Sequence, residues 1–211
     1  NWSDGSFIKP VPREENHLRR EWSLGDKFVV AYSGNMGRAH EFETILEAVS
    51  LLKDRTDILF LFIGDGKQRE LVETWSKQKN IRNILFKPYQ PYERLGQSLT
   101  AADSHLVCLK QELEGLIVPS KFYGVLAAAR PVLNIGSQNG EVGSWVRRIE
   151  CGYTVNPGRA EELTRLIIGL ADHREEASRM GERGRAYFDQ HFDRPVALNA
   201  WHEALKAVAI V

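Results

Sequence analysis

Between Phe28 and Val155 short apolar runs alternate with amphipathic stretches of helical period, and that alternation leaves few folds open. The runs Phe28–Ser33, Ile58–Ile63, Asn83–Phe86, Ser104–Leu109, Pro131–Ile135 and Tyr153–Val155 are mostly apolar throughout, as strands covered on both faces must be. Glu41–Lys53, Gln68–Lys79, Pro91–Ala101, Ser120–Ala129 and Glu141–Glu150, which lie between them, have helical periodicity. Right-handed βαβ crossovers of this length predict an α/β fold, a doubly wound parallel sheet of about six strands with helices on both faces. Ligands of such sheets bind beyond the carboxyl ends of the strands.

The flanking segments read differently. Residues 1–25, rich in Pro, Asn and Trp, contain one helical patch, Arg13–Trp22, and are expected to be a linker; residues 26–211 are expected to form the domain. From Ala160 to Val211 all patterns are helical, with a break expected at Arg194-Pro195. Leu163, Leu166, Ile167 and Leu170 form an apolar stripe that needs a partner, so these helices are expected to pack around the sheet. The 27% of charged residues sum to a formal net charge of +0, which gives no field to hold nucleic acid or anionic lipid. No apolar run approaches the roughly 20 residues of a membrane span, and residues 1–12 have no secretory-signal pattern. Cys108 and Cys151 lack metal-ligand spacing, and His40, His105, His173, His191 and His202 have no glutamate at i,i+4, so no metal site is expected. A reducing cytoplasm fits this pattern.

Two turns carry chemistry. After the first strand, Gly34-Asn35-Met36-Gly37-Arg38 has two glycines that let backbone approach a ligand, with Arg38 as a candidate partner for a diphosphate and His40 close behind. The Gly-x-x-Gly spacing lacks the third glycine of a dinucleotide fingerprint, and no acid closes the second strand, which disfavours NAD. Gly64-Asp65-Gly66 ends the second strand and either lines the same cleft or simply turns the chain. The second motif is Glu114-Gly115-Leu116-Ile117-Val118-Pro119-Ser120-Lys121. A helix opening on Pro119 leaves amides free, and with the backbone of Gly115, Leu116 and Ile117 they offer donors to a phosphate. Glu114 would be repelled by that phosphate unless it faces neutral sugar hydroxyls. Lys121 in the first helical turn opposes the helix dipole, a placement that a bound anion would offset.

These residues resemble the retaining glycosyltransferases of family 4, which have the GT-B fold, and among them the bacterial type that builds polysaccharide and lipopolysaccharide. Asn1-Trp2-Ser3-Asp4 is similar to the linker entering the second half of such enzymes. Gly34–Arg38, Phe62–Gly66, Asn83–Phe86 and Glu114–Pro119 are similar to its successive landmarks, the last to a Glu-Gly-Phe-Gly-Leu-Pro signature. The resemblance implies a Rossmann-like, donor-binding C-terminal half, with the N-terminal acceptor domain outside this chain. It further implies a nucleotide-diphosphate sugar as donor, UDP-sugar favoured, a glycan or lipid-linked acceptor, no cofactor, and location in the cytoplasm or at the inner membrane face. Glu114 would contact the donor sugar as the catalytic residue, and Gly34–Arg38, Gly64, Gly115–Ile117 and Lys121 would bind the nucleotide. The chain departs from the family at Asn35 and His40, where an arginine and a lysine are usual, and at Phe122 or Gly124, where a second carboxylate holds the ribose. A nucleotide-sugar epimerase of the same fold, or a degenerate half that binds nucleotide or docks a partner, are the alternatives.

Overall fold

The computed structural model describes residues 1–209, so Ile210 and Val211 of the expected helical tail lie outside the described residues. Six parallel strands form one sheet in the order β3-β2-β1-β4-β5-β6: β1 Phe28–Ser33, β2 Ile58–Ile63, β3 Ile84–Lys87, β4 Ser104–Cys108, β5 Val132–Ile135 and β6 Gly152–Val155. The order reverses between β1 and β4. At such a switch point the two connections leave in opposite directions and open a crevice.

The crossover helices are α2 Glu43–Leu51, α3 Arg69–Gln78, α4 Leu95–Thr100, α5 Lys121–Ala127 and α6 Glu141–Ile149, with a short α1 at His17–Glu21 before the sheet. The expected helix Pro91–Ala101 divides, because its first residues Tyr92–Arg94 form a 3-10 turn before α4. The strand expected at Asn83 starts one residue later: Asn83 turns its side-chain amide to the Leu52 carbonyl, and β3 is only half-buried, so its apolar pattern is the weakest of the set.

Strand alternation divides the core between the two faces. Phe28, Val30, Tyr32, Phe60 and Phe62 point to one face and Val29, Ala31, Leu59 and Leu61 to the other. The stripe Leu163, Ile167 and Leu170 on α7 (Ala160–Asp172) is buried against the first face beside α2, with Leu166 half-buried next to it. On the opposite face α8 (Arg174–His191) crosses α5 and buries Phe188 with Phe122 and Leu126. The break at Arg194-Pro195 is the start of α9, Arg194–Ala209, with proline in its first turn, where the missing N–H costs nothing.

Residues 1–25, expected as a linker, are folded onto the domain. Leu18, Trp22 and Leu24 are buried against β1 and β2, and Ile8 against α5. Asp103 accepts from Arg13 at 2.8 Å, from Arg19 at 3.3 Å and from the Val29 amide at 2.7 Å, tying the segment to the first strand.

Candidate functional site

At the carboxyl ends of β1 and β2 a cavity of about 450 Å³ opens between the turn after β1 and the loop that leads from β4 into α5. Its walls include Ser33, Gly34, Asn35 and His40 on one side, Ile117 to Lys121 on the other, and Tyr89 and Gln90 from the loop after β3. The inner end, toward Ile8, Leu99 and Val125, is apolar. This volume and mix of an apolar wall with a few converging polar groups suit a small-molecule site.

One cation reaches into it. The Lys121 ammonium donates to the Tyr32 hydroxyl at 2.9 Å, sits 4.4 Å from the centre of the Tyr32 ring, and lies 3.4 Å from His40 Nε2. The Tyr32 hydroxyl spends its own proton on the Asn35 carbonyl at 2.7 Å. His40 Nδ1 is 2.9 Å from the Cys108 carbonyl, which can only accept, so Nδ1 carries the ring proton and Nε2 turns its lone pair to Lys121. Burial lowers the Lys121 pKa to about 8. Burial, and then the charge of Lys121, lower that of His40. Burial pushes the Cys108 thiol up to about 12, so it is neutral beside them. No carboxylate pairs with Lys121 among the described residues.

The residues singled out in the sequence fall into two groups. Gly34, Asn35, Ile117 and Lys121 line the cavity. Gly34 has φ +133°, and a Cβ there would press on Lys121 Cε at 3.3 Å, so the bare backbone leaves room for the lysine stem. Gly64 lies behind this turn at φ +128°, where a Cβ would overlap the Gly34 carbonyl; it sets the close approach of two loops and does not face the cavity.

The other residues expected at the site lie outside the cavity. Met36 is fully buried in the core, and its backbone N–H and C=O bond to the Asp65 carbonyl and the Gln68 amide. Gly37 presents its carbonyl to the Gln68 side chain, away from the cavity. Arg38 is exposed and outside the cavity, because the turn directs it to solvent once Met36 has been drawn inward. Gly115 and the 78% exposed Leu116 lie outside it too, and the amides of Leu116 and Ile117 are already bonded to the Leu113 carbonyl. Glu114 does not share the cavity with Lys121. Its Oε1 accepts from the Glu141 amide at 3.1 Å at the opening of α6, where the carboxylate rests on Gly140, and it borders a separate small space behind Ile117 and Pro119.

Tyr32, Tyr89 and Gln90 line or brace the cavity without having stood out in the sequence. Tyr32 reads there as one more apolar strand residue. The available signal was its place one residue before the strand ends, where a hydroxyl reaches the mouth of the sheet. Among the described residues no cluster of His, Cys, Asp and Glu could hold a metal ion.

A doubly wound parallel sheet with a crevice at its switch point defines a domain of the Rossmann-like α/β class. The sequence assigns it further. The chain belongs to the family of glycosyl transferases group 1, which it matches over residues 14–187. It is similar to a probable glycosyltransferase, WbjE, of Pseudomonas aeruginosa, with 29% identity over 200 residues that cover 94% of this chain and 49% of the relative. It is similar as well to the putative colanic acid biosynthesis glycosyl transferase WcaI of Escherichia coli, with 29% identity over 189 residues, 87% of this chain and 46% of the relative. The chain thus spans about half the length of the curated relatives it matches. Among solved structures the fold resembles HepE of Anabaena crystallised with UDP-glucose, with a TM-score of 0.79 at 17% identity over 98% of this chain and 56% of that one. The Rossmann-like GT-B architecture expected from the sequence is the one present.

Proposed function

We propose that the chain is the donor-binding half of a glycosyltransferase that takes a sugar from a nucleotide-diphosphate sugar, with UDP-sugar favoured, and passes it to a glycan or lipid-linked acceptor held by another half. The observation that carries this reading is the Lys121 ammonium at the switch-point cavity, a charge with no carboxylate partner among the described residues, in a chain of the glycosyl transferases group 1 family. Support for the donor comes from HepE, whose structure holds UDP-glucose, and support for a polysaccharide acceptor from the naming of WcaI.

In this reading the diphosphate lies over Gly34 and Asn35 against Lys121, and the exposed ring of Tyr89 with the Gln90 amide offers a face and an edge to the base. As the bond from the anomeric carbon to the phosphate oxygen breaks and the acceptor oxygen takes its place, with retention of configuration, negative charge grows on the leaving diphosphate. A fixed cation in a partly dry site stabilises that charge more than water would. Glu114, behind Ile117 and Pro119, is proposed on the side where the sugar leaves the diphosphate. The engagement of Glu114 by the α6 amide favours one rival, a degenerate half that binds nucleotide without turnover.

Thermal unfolding of the 211-residue chain with UDP, UDP-glucose, GDP and NAD tests the proposal. A nucleoside diphosphate or its sugar is expected to raise the midpoint, less so in Lys121→Met, while the chain alone transfers no sugar. A rise with NAD alone, or none with any nucleotide, contradicts donor binding.

A further inference from the structure

The lysine of the cavity stands in an unusual setting. A partly buried ammonium normally meets a carboxylate, because taking an unpaired charge out of water is costly. Here the partners are two neutral acceptors from distant parts of the chain: Tyr32 Oη, 89 positions away, and His40 Nε2, 81 positions away. Each is fixed from behind. Tyr32 is fully buried on β1 and locked by its bond to the Asn35 carbonyl, and His40 is locked by the Cys108 carbonyl. The stem of Lys121 is confined as well, since Gly34 leaves just the space that a Cβ would take. Two of the three ammonium protons are thereby assigned, and the third and the net charge are left for a ligand in the cavity.

Resting on the donor-binding reading above, we propose that Tyr32 and His40 are positioning residues that hold Lys121 as a receptor for the donor diphosphate, and that binding of this anion is coupled to protonation of Lys121. The groups around it do not supply the missing negative charge. From β1 comes the neutral Tyr32, from the turn before α2 the neutral His40, and from the end of β4 the neutral thiol Cys108. Glu41, on the same turn as His40, spends Oε1 on the Thr44 amide, and its charge is felt at Cys108. A bound diphosphate is therefore the counter-ion. It raises the affinity of Lys121 for its proton, and by linkage the anion binds better to the protonated form. With the free amine titrating at about 8, affinity is full near pH 7 and falls as the pH climbs beyond it.

The test is the affinity of the 211-residue chain for UDP and for inorganic pyrophosphate between pH 7 and pH 9, compared with Lys121→Arg, which stays charged, and with Tyr32→Phe, which keeps the ring and loses the acceptor. Unliganded melting curves establish that each variant is folded. Binding of both probes is expected to be about tenfold weaker at pH 9 than at pH 7, beyond the change shown by Lys121→Arg. In Tyr32→Phe the decline is expected to begin at lower pH. If the unchanged chain and Lys121→Arg give the same profile, or if Tyr32→Phe leaves the midpoint where it was, the proposal is overturned. Pyrophosphate bound with this profile and UDP not bound supports the anion receptor and removes the nucleotide reading. UDP bound with a flat profile does the reverse, and binding of neither overturns both.

Discussion

At the scale of single residues the site depends on where two loops touch. Gly64 packs so closely on the Gly34 carbonyl, at φ +128°, that any side chain must displace the turn carrying Asn35. Gly64→Ala is expected to lower stability by about 3 kcal/mol, combining left-handed strain with overlap. Gly158→Ala, at φ +81° with open space around it, is expected to cost about 1 kcal/mol; denaturant unfolding of both variants measures the difference, and equal losses would remove the close-approach argument. His105, 1% exposed on β4 and bonded to the Leu99 carbonyl, has its pKa depressed by burial to about 4. A depressed histidine stabilises the fold above its unfolded value of roughly 6.5, and that contribution is lost as pH falls toward 4. The expected loss is about 3 kcal/mol, and the His105 ring signal should stay unprotonated at pH 6 in an NMR titration. The place of Lys121 on the cavity wall was legible because a cation in a first helical turn is out of place. Arg38 and Glu114 lie outside the cavity, because neighbourhood in sequence does not say which way a turn aims its side chains. The cradle of Tyr32 and His40 could not be read from residues so far apart.

At the scale of elements the sheet was the most legible part, since β1, β2 and β4 are buried along almost their whole length and only Ser33, Ser104 and His105 interrupt their apolar runs. Helix ends were read less well. Pro119 and Ser120 precede the first regular turn of α5, so the expected opening amides belong to a tighter turn in which Phe122 bonds back to Pro119. The packing of α8, unlike the apolar stripe of α7, was not read from the sequence. On α8, Gly181 lies against the carbonyl of Ala129, and a Cβ there would overlap it. Gly181→Ala is expected to push α8 from α5 and cost about 2 kcal/mol, whereas Gly169→Ala on α7, with nothing within 4 Å, should stabilise by about 1 kcal/mol through helix propensity. Melting temperatures moving in opposite directions check the pair; a loss in both would show that α7 is packed more tightly than its open glycine implies.

At the scale of the whole molecule the first 25 residues and the switch point matter most. Composition suggested a connector for residues 1–25, but Leu18, Trp22 and Leu24 are core residues, and the Arg13–Asp103–Arg19 cluster fastens them to β1. Such long-range pairing has no local sequence pattern. No helix among the described residues is long and apolar enough to cross a membrane. Along α9 the exposed residues Leu198, Trp201, Leu205 and Val208 show an apolar row, while the cavity opens at the carboxyl ends of β1 and β2. Donor binding as proposed seats the nucleotide in that cavity with its charge on the lysine. A crystal structure of the chain with UDP measures this directly: the diphosphate is expected within hydrogen-bond distance of Lys121 Nζ, over Gly34 and Asn35. UDP bound at another surface, or in the cavity with its phosphates turned away from Lys121, would contradict it.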